Sequence, residues 1–86
     1  MYELAFDEEV IEFLEKLPES TRKRIFDKIV SSKVNPFFFF ERLKGRRDFR
    51  MRIGDYRAIA DIDSKKKVIQ VTLVGHRKNI YKKLRR

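Results

Sequence analysis

The sequence predicts an α+β fold of order β-α-α-β-β-β, with a helical hairpin packed on one face of a small, twisted, mainly antiparallel sheet. Three observations carry this. Apolar residues recur with helical spacing in two segments of the first 34 residues. Apolar and polar residues alternate through three later segments. Short turn sequences separate those three, so consecutive strands pair as a meander.

Taken in order, Tyr2, Leu4 and Phe6 fall on one face of a first strand. Asp7 is placed to cap the next helix, with Glu8 and Glu9 in a first turn that favours acid. Val10, Phe13, Leu14 and Leu17 form that helix's apolar stripe, and Pro18 ends it. Ser20 is placed to cap the second helix, whose stripe is Ile25, Phe26, Ile29 and Val30. Lys28 and Lys33 lie toward its C-terminal end, and Asn35-Pro36 stops it. So short a link predicts an antiparallel hairpin. Phe37 to Lys44 reads as an aromatic connection; at least two of its four phenylalanines are expected to complete the core beneath the hairpin, the competing reading being an exposed patch for a partner. Gly45 marks a turn. Strands follow over 49–53, 56–62 and 67–74, with reversals at Gly54-Asp55 and Asp63-Ser64-Lys65. Gly75 closes the last strand, and 76–86 form a basic tail with one helical turn carrying Ile80 and Leu84.

The 86 residues suggest a single domain spanning 1–86, too small for a deep substrate cavity. Lys and Arg number 22 against 13 Asp and Glu, a net charge of +9. Self-repulsion of that size works against a compact state, so it points to a polyanionic partner. The longest apolar run, Phe37 to Phe40, cannot span a membrane, and no signal-peptide pattern opens the chain, so a cytoplasmic protein without membrane contact is expected. Cysteine is absent and histidine occurs once, which argues against disulfides, thiolate chemistry and a metal site; no cofactor is expected. Asn and Gln are confined to Asn35, Asn79 and Gln70, a bias of thermophilic proteins that suggests a thermophilic or archaeal source.

Strand phase localises the charge. Phe49, Met51 and Ile53 share a face, as do Tyr56, Ala58, Ala60 and Ile62, and Ile69, Val71 and Leu73. That face suits the helices. Arg50, Arg52 and Arg57 point the other way, where like charges on adjacent strands repel unless an anion lies between them. The guanidinium fork matches phosphate. The competing reading is a solvated face with arginines paired to Asp61 or Asp55.

Three segments resemble the RelE/ParE superfamily of bacterial and archaeal toxin–antitoxin systems. Leu43-Lys44-Gly45 is similar to its LKG turn, Arg52-Ile53-Gly54-Asp55-Tyr56-Arg57 to its R-x-G-D-Y-R hairpin, and Val74 to Tyr81 to its closing V-G-x-R-x-x-x-Y segment. The match covers essentially the whole chain. The resemblance implies a RelE-type toxin that cuts messenger RNA in the ribosomal A site and is silenced by an acidic, RelB-like antitoxin. It implies a catalytic set of Arg50, Arg52, Arg57, Arg77 and Tyr81. Arginine at the second-strand positions departs from members that carry lysine there, and arginine is a poor base. RNA cleavage by attack of its own 2′-hydroxyl needs orientation, charge neutralisation and proton movement but no metal.

Within that implied set, Arg57 would neutralise the transition state with help from Arg50 and Arg52. Arg77 would hold the leaving oxygen or its phosphate. Tyr81 would stack on a base, orient the 2′-hydroxyl or move a proton; otherwise it packs beside Ile80 and Leu84. Lys44, Arg46, Arg47 and Lys78 read as RNA-positioning contacts. Glu41 matches a catalytic carboxylate of the YoeB-like branch but reads first as a surface salt bridge, and His76 as a bystander beside Arg77. Two alternatives stay open: a ParE-like toxin that inhibits DNA gyrase, and a non-catalytic ribosome- or RNA-binding protein.

Overall fold

A computed structural model describes residues 1–84; the last two residues of the predicted basic tail, 85 and 86, lie outside it. The elements run β1 (Glu3–Phe6), α1 (Glu8–Glu15), α2 (Glu19–Ser31), α3 (Pro36–Phe39), β2 (Glu41–Arg42), β3 (Phe49–Ile53), β4 (Tyr56–Asp63), β5 (Val68–His76) and α4 (Ile80–Leu84). They form one five-stranded sheet of order β1-β5-β4-β3-β2. β1 lies parallel to β5, and the remaining pairs are antiparallel. The α+β class and the β-α-α-β-β-β backbone of the fold are as the periodicities predict.

The connection over 37–44 is more structured than expected. Pro36 opens the short helix α3, where its missing N–H costs nothing. Glu41 and Arg42 then add a fifth strand, pairing with Arg50 and Phe49. A run of four phenylalanines has neither helical nor strand period, which hides both elements.

The expected caps are corrected. Asp7 stands at the N-cap of α1, but its side chain makes no capping bond. Its Oδ1 accepts from Gln70 Nε2 at 2.7 Å, tying the start of α1 to β5. Ser20 does not cap α2, because the helix already begins at Glu19. Extended Pro18 is the N-cap, and its carbonyl accepts from Arg22 N at 2.9 Å. β5 also continues past Gly75 to His76.

Two apolar clusters lie on opposite faces of the sheet. The larger joins Val10, Leu14, Ile25 and Ile29 of the helices to Phe49, Met51, Ile53, Ala58, Ala60, Ile69 and Val71. Phe26 and Val30, expected in the same stripe, are 45% and 38% exposed. The helix contributes only its innermost line to the core, and Phe26 instead stacks on Phe6 at the rim, 6.0 Å between centroids.

The smaller cluster comes from an irregularity in register. Ile59 lies opposite Leu73, but Ala60 lies opposite Val71, leaving Thr72 as an extra residue in β5. The bulge reverses side-chain phase. Leu73, expected beside Ile69 and Val71, turns instead to the far face, and Val74 enters the main core. There Leu73 meets Ile59, Leu43, Ile80 and Leu84. α4 thus sits on the arginine face and covers part of it.

Candidate nucleic-acid interface

The positions of the strand arginines are set by the β3–β4 register, with Arg52 exposed and Arg50 and Arg57 half-buried. Arg52 lies directly opposite Arg57, and Arg57 lies opposite Gly75 on its other side. The next row holds Arg50, Ile59 and Leu73. Ile59 is fully buried under α4, so the apolar row supports the helix while the charged row stays open.

The three strand arginines are held differently. Arg57 Nη1 donates to the carbonyls of Gly54 and Tyr56, each at 2.8 Å, and so bends toward the β3–β4 turn rather than pairing with Asp61 or Asp55. Arg50 Nη2 donates to Glu41 Oε1, its cross-strand neighbour, and Arg50 Nη1 donates to the Tyr81 hydroxyl at 2.7 Å. The buried Nε of Arg50 has no acceptor among the described residues. Arg52 is exposed and has no carboxylate partner among the described residues.

Residues from the far end of the chain arrive at both ends of this face. The Arg77 N–H donates to the Asp55 carbonyl at 2.7 Å, and its Nε lies 3.7 Å from Asp55 Oδ1. Arg57 and Arg77 therefore grip the same Gly54-Asp55 turn. Gly54 adopts φ +58° there, which only glycine takes without strain. Tyr81, 37% exposed, reaches Arg50 because α4 packs closely on β5. A Cβ at Gly75 would stand 3.0 Å from Ile80 Cδ1, so glycine lets the helix approach. The predicted Ile80 and Leu84 packing and the exposed Tyr81 coexist on one short helix.

The pair at Glu41 is the salt bridge expected there. The hydrogen bond from Arg50, then its charge, holds the Glu41 carboxyl below the ordinary carboxylate range, and Arg52 adds to this. Hydrogen bonds to Glu41 and Tyr81 raise the Arg50 pKa, so the guanidinium stays charged.

The expected positioning residues divide. Arg46 clasps both oxygens of Asp48, at 2.8 and 2.9 Å, and its Nη1 donates to the Leu84 carbonyl at 3.2 Å. It fastens α4 to the β2–β3 loop, so its guanidinium is already engaged. Lys44, Arg47 and Lys78 are exposed. His76 is occupied structurally: its ring meets Tyr56 edge-on at 5.5 Å, and its Nδ1 accepts from Lys78 N at 3.2 Å.

Two clefts flank the Glu41–Arg50 pair. One, of about 560 Å³, includes Tyr81, Leu84, Lys44 and Arg46. The other, of about 410 Å³, includes Lys28 of α2, Arg52 and the phenylalanines of α3. Sequence reasoning left Lys28 out of the site, since it was accounted for as a favourable charge near a helix end. Only the packing of α2 against β3 brings it near Arg52.

The family described as ParE toxin of type II toxin-antitoxin system, parDE, matches residues 4–81. No curated protein matches the chain in sequence. Among solved structures, the fold is similar to RelE in the RelE–RelB complex of Pyrococcus horikoshii OT3, at TM-score 0.77 and 26% identity, covering 88% of this chain and 94% of that one. It is similar to the isolated RelE toxin of E. coli at TM-score 0.77 and 25% identity, with coverage of 98% and 95%. It is also similar to a chain of the RelB–RelE complex of Methanococcus jannaschii, at TM-score 0.71 and 25% identity, with coverage of 92% and 96%. The chain belongs to the RelE/ParE superfamily and is a toxin of a type II toxin–antitoxin system.

Proposed function

We propose that the chain is an endoribonuclease that stops translation by cutting messenger RNA in the ribosomal A site, using 2′-hydroxyl attack and no metal. The observation that carries this reading is the Arg50–Tyr81 hydrogen bond. It ties the C-terminal tyrosine to the strand arginines and leaves a polarisable hydroxyl beside fixed positive charge.

In this reading Arg57 and Arg52 face the scissile phosphate and neutralise the charge that grows on its oxygens. Arg50 orients Tyr81, whose hydroxyl aligns the attacking 2′-hydroxyl, while the proton that this group loses passes by way of a phosphate oxygen to the departing 5′-oxygen. Arg77, anchored at the Gly54-Asp55 turn, stabilises the departing 5′-oxygen. Lys44, Arg47 and Lys78 position the RNA backbone. Arg46 is removed from that group, because its fork is taken by Asp48. An acidic, RelB-like antitoxin is the proposed partner, given the RelE–RelB complexes among the similar structures and the net charge of +9. A cytoplasmic location follows from a ribosomal substrate.

The family description favours a second reading, a ParE-like toxin that inhibits DNA gyrase and cuts nothing. One experiment separates the two. Ribosomes programmed with a defined codon in the A site are incubated with the protein and the messenger ends are mapped. Cleavage within that codon is expected. An intact messenger, together with inhibition of gyrase supercoiling, would replace the nuclease by the second reading.

A further inference from the structure

The four phenylalanines over 37–40 do different work. Phe40 is buried and Phe39 half-buried, but Phe38 is 81% exposed. Its ring meets Phe39 edge-on, 5.5 Å between centroids, which holds it in place and leaves most of its surface open. Exposure of that size contributes little to the core.

What stands near Phe38 gives the ring a use. Lys28, Arg50 and Arg52 line the same cleft, of about 410 Å³. Lys28 Nζ lies 5.9 Å from the Phe39 ring centroid. Among the described residues, neither Lys28 nor Arg52 is paired with a carboxylate. The cleft meets the Tyr81 cleft at Glu41 and Arg50, which line both. An open aromatic ring thus stands at one end of a cationic track and Tyr81 at the other.

Cations alone suit any acidic partner. Cations beside an open aromatic ring suit single-stranded nucleic acid, whose phosphates pair with the former and whose bases stack on the latter. We infer that Phe38 is a base-stacking platform that, with Lys28 on the adjoining phosphate and Arg52 on the scissile one, holds the nucleotide neighbouring the Arg50–Tyr81 site in a single-stranded RNA. The inference rests on the reading of the arginine face as an RNA site.

The chain contains no tryptophan, so Phe38→Trp installs a single reporter at the platform. The probes are a short oligoribonucleotide of adenines and uridines, inorganic polyphosphate and polyglutamate. Saturable quenching by the oligoribonucleotide, with none by polyphosphate at equal charge, is expected. Phe38→Ala should weaken oligoribonucleotide binding about fivefold or more without changing its salt dependence, whereas Arg52→Ala should flatten the slope of log affinity against log salt by about 0.7. Thermal midpoints should match wild type, since Phe38 is exposed. The inference is overturned by no saturable RNA binding, by unchanged affinity in Phe38→Ala, by equal quenching with polyphosphate, or by a response to polyglutamate and not to RNA; the last outcome would assign the surface to an acidic protein. Binding is read without cleavage. A protein that binds through Phe38 yet cuts nothing refutes the nuclease and leaves the platform standing, and a nuclease indifferent to Phe38 does the reverse.

Discussion

Arg50 on β3 and Tyr81 on α4, 31 residues apart, share a 2.7 Å hydrogen bond from the guanidinium to the phenol. Phe at position 81 keeps the ring and removes the acceptor. Tyr81→Phe should leave the thermal midpoint nearly unchanged, since the residue is exposed at the edge of the fold. It should lower A-site cleavage by about 10²-fold if the hydroxyl aligns the attacking 2′-hydroxyl. Equal cleavage rates for Tyr81→Phe and wild type would reduce the residue to a stacking role.

Arg57, on β4, and Arg77, just past the end of β5, converge on the Gly54-Asp55 turn. Neither carries core packing. Arg57→Ala together with Arg77→Ala should reduce cleavage by about 10²-fold or more through lost charge stabilisation, with a change in stability of no more than about 1 kcal/mol. Mapped messenger ends that persist in the double variant would show the site to be elsewhere.

Glu41 occupies Arg50 and adds a negative charge to the track. Glu41→Gln should tighten RNA binding and steepen its salt slope by about 0.7, one further phosphate. Cleavage measured alongside separates two roles. A rate that rises or holds identifies the carboxylate as a mere salt bridge, while a rate that collapses despite tighter binding identifies it as a base.

Gly75 lets Ile80 approach, and Ile80 sets where Tyr81 stands. Gly75→Ala should destabilise the fold by about 1 kcal/mol, the low end for overpacking, because the close contact is with the terminal methyl of Ile80. Adding Ile80→Val, which shortens the side chain, should recover part of that loss, because contacting residues couple. Denaturant unfolding of the two singles and the double measures this directly; strict additivity would mean the contact is relieved some other way.

Acid should weaken the fold. Asp48 is held below its ordinary value by the Arg46 hydrogen bond, Asp63 by the backbone N–H groups of Lys66 and Lys65, and Glu41 by Arg50. A carboxyl depressed in the folded state adds stability that is complete above its unfolded pKa, near ~4, and is lost as pH falls through the folded value. Thermal midpoints should therefore plateau above about pH 5 and drop below about pH 4. Asp48→Asn should lower the plateau and flatten the acid limb, since its contribution is then absent at every pH.

The sequence by itself determined the fold class and the location of the charge. Helical spacing at Val10–Leu14 and Ile25–Ile29 and alternation through β3 and β4 are local consequences of backbone geometry, so they are written in consecutive residues. The same alternation put Arg50, Arg52 and Arg57 on one face, and the motifs added Arg77 and Tyr81 as candidates. Tertiary structure decided the rest. The bulge at Thr72 turned Leu73 to the arginine face, because the register between β4 and β5 is a property of two strands and not of either one. That displaced side chain helps seat α4, and the seating brings Tyr81 to Arg50. Which phenylalanines of the four stay outside, and which cation stands beside Phe38, likewise depend on how α2 and α3 meet the edge of the sheet, a distance between surfaces that no single segment encodes.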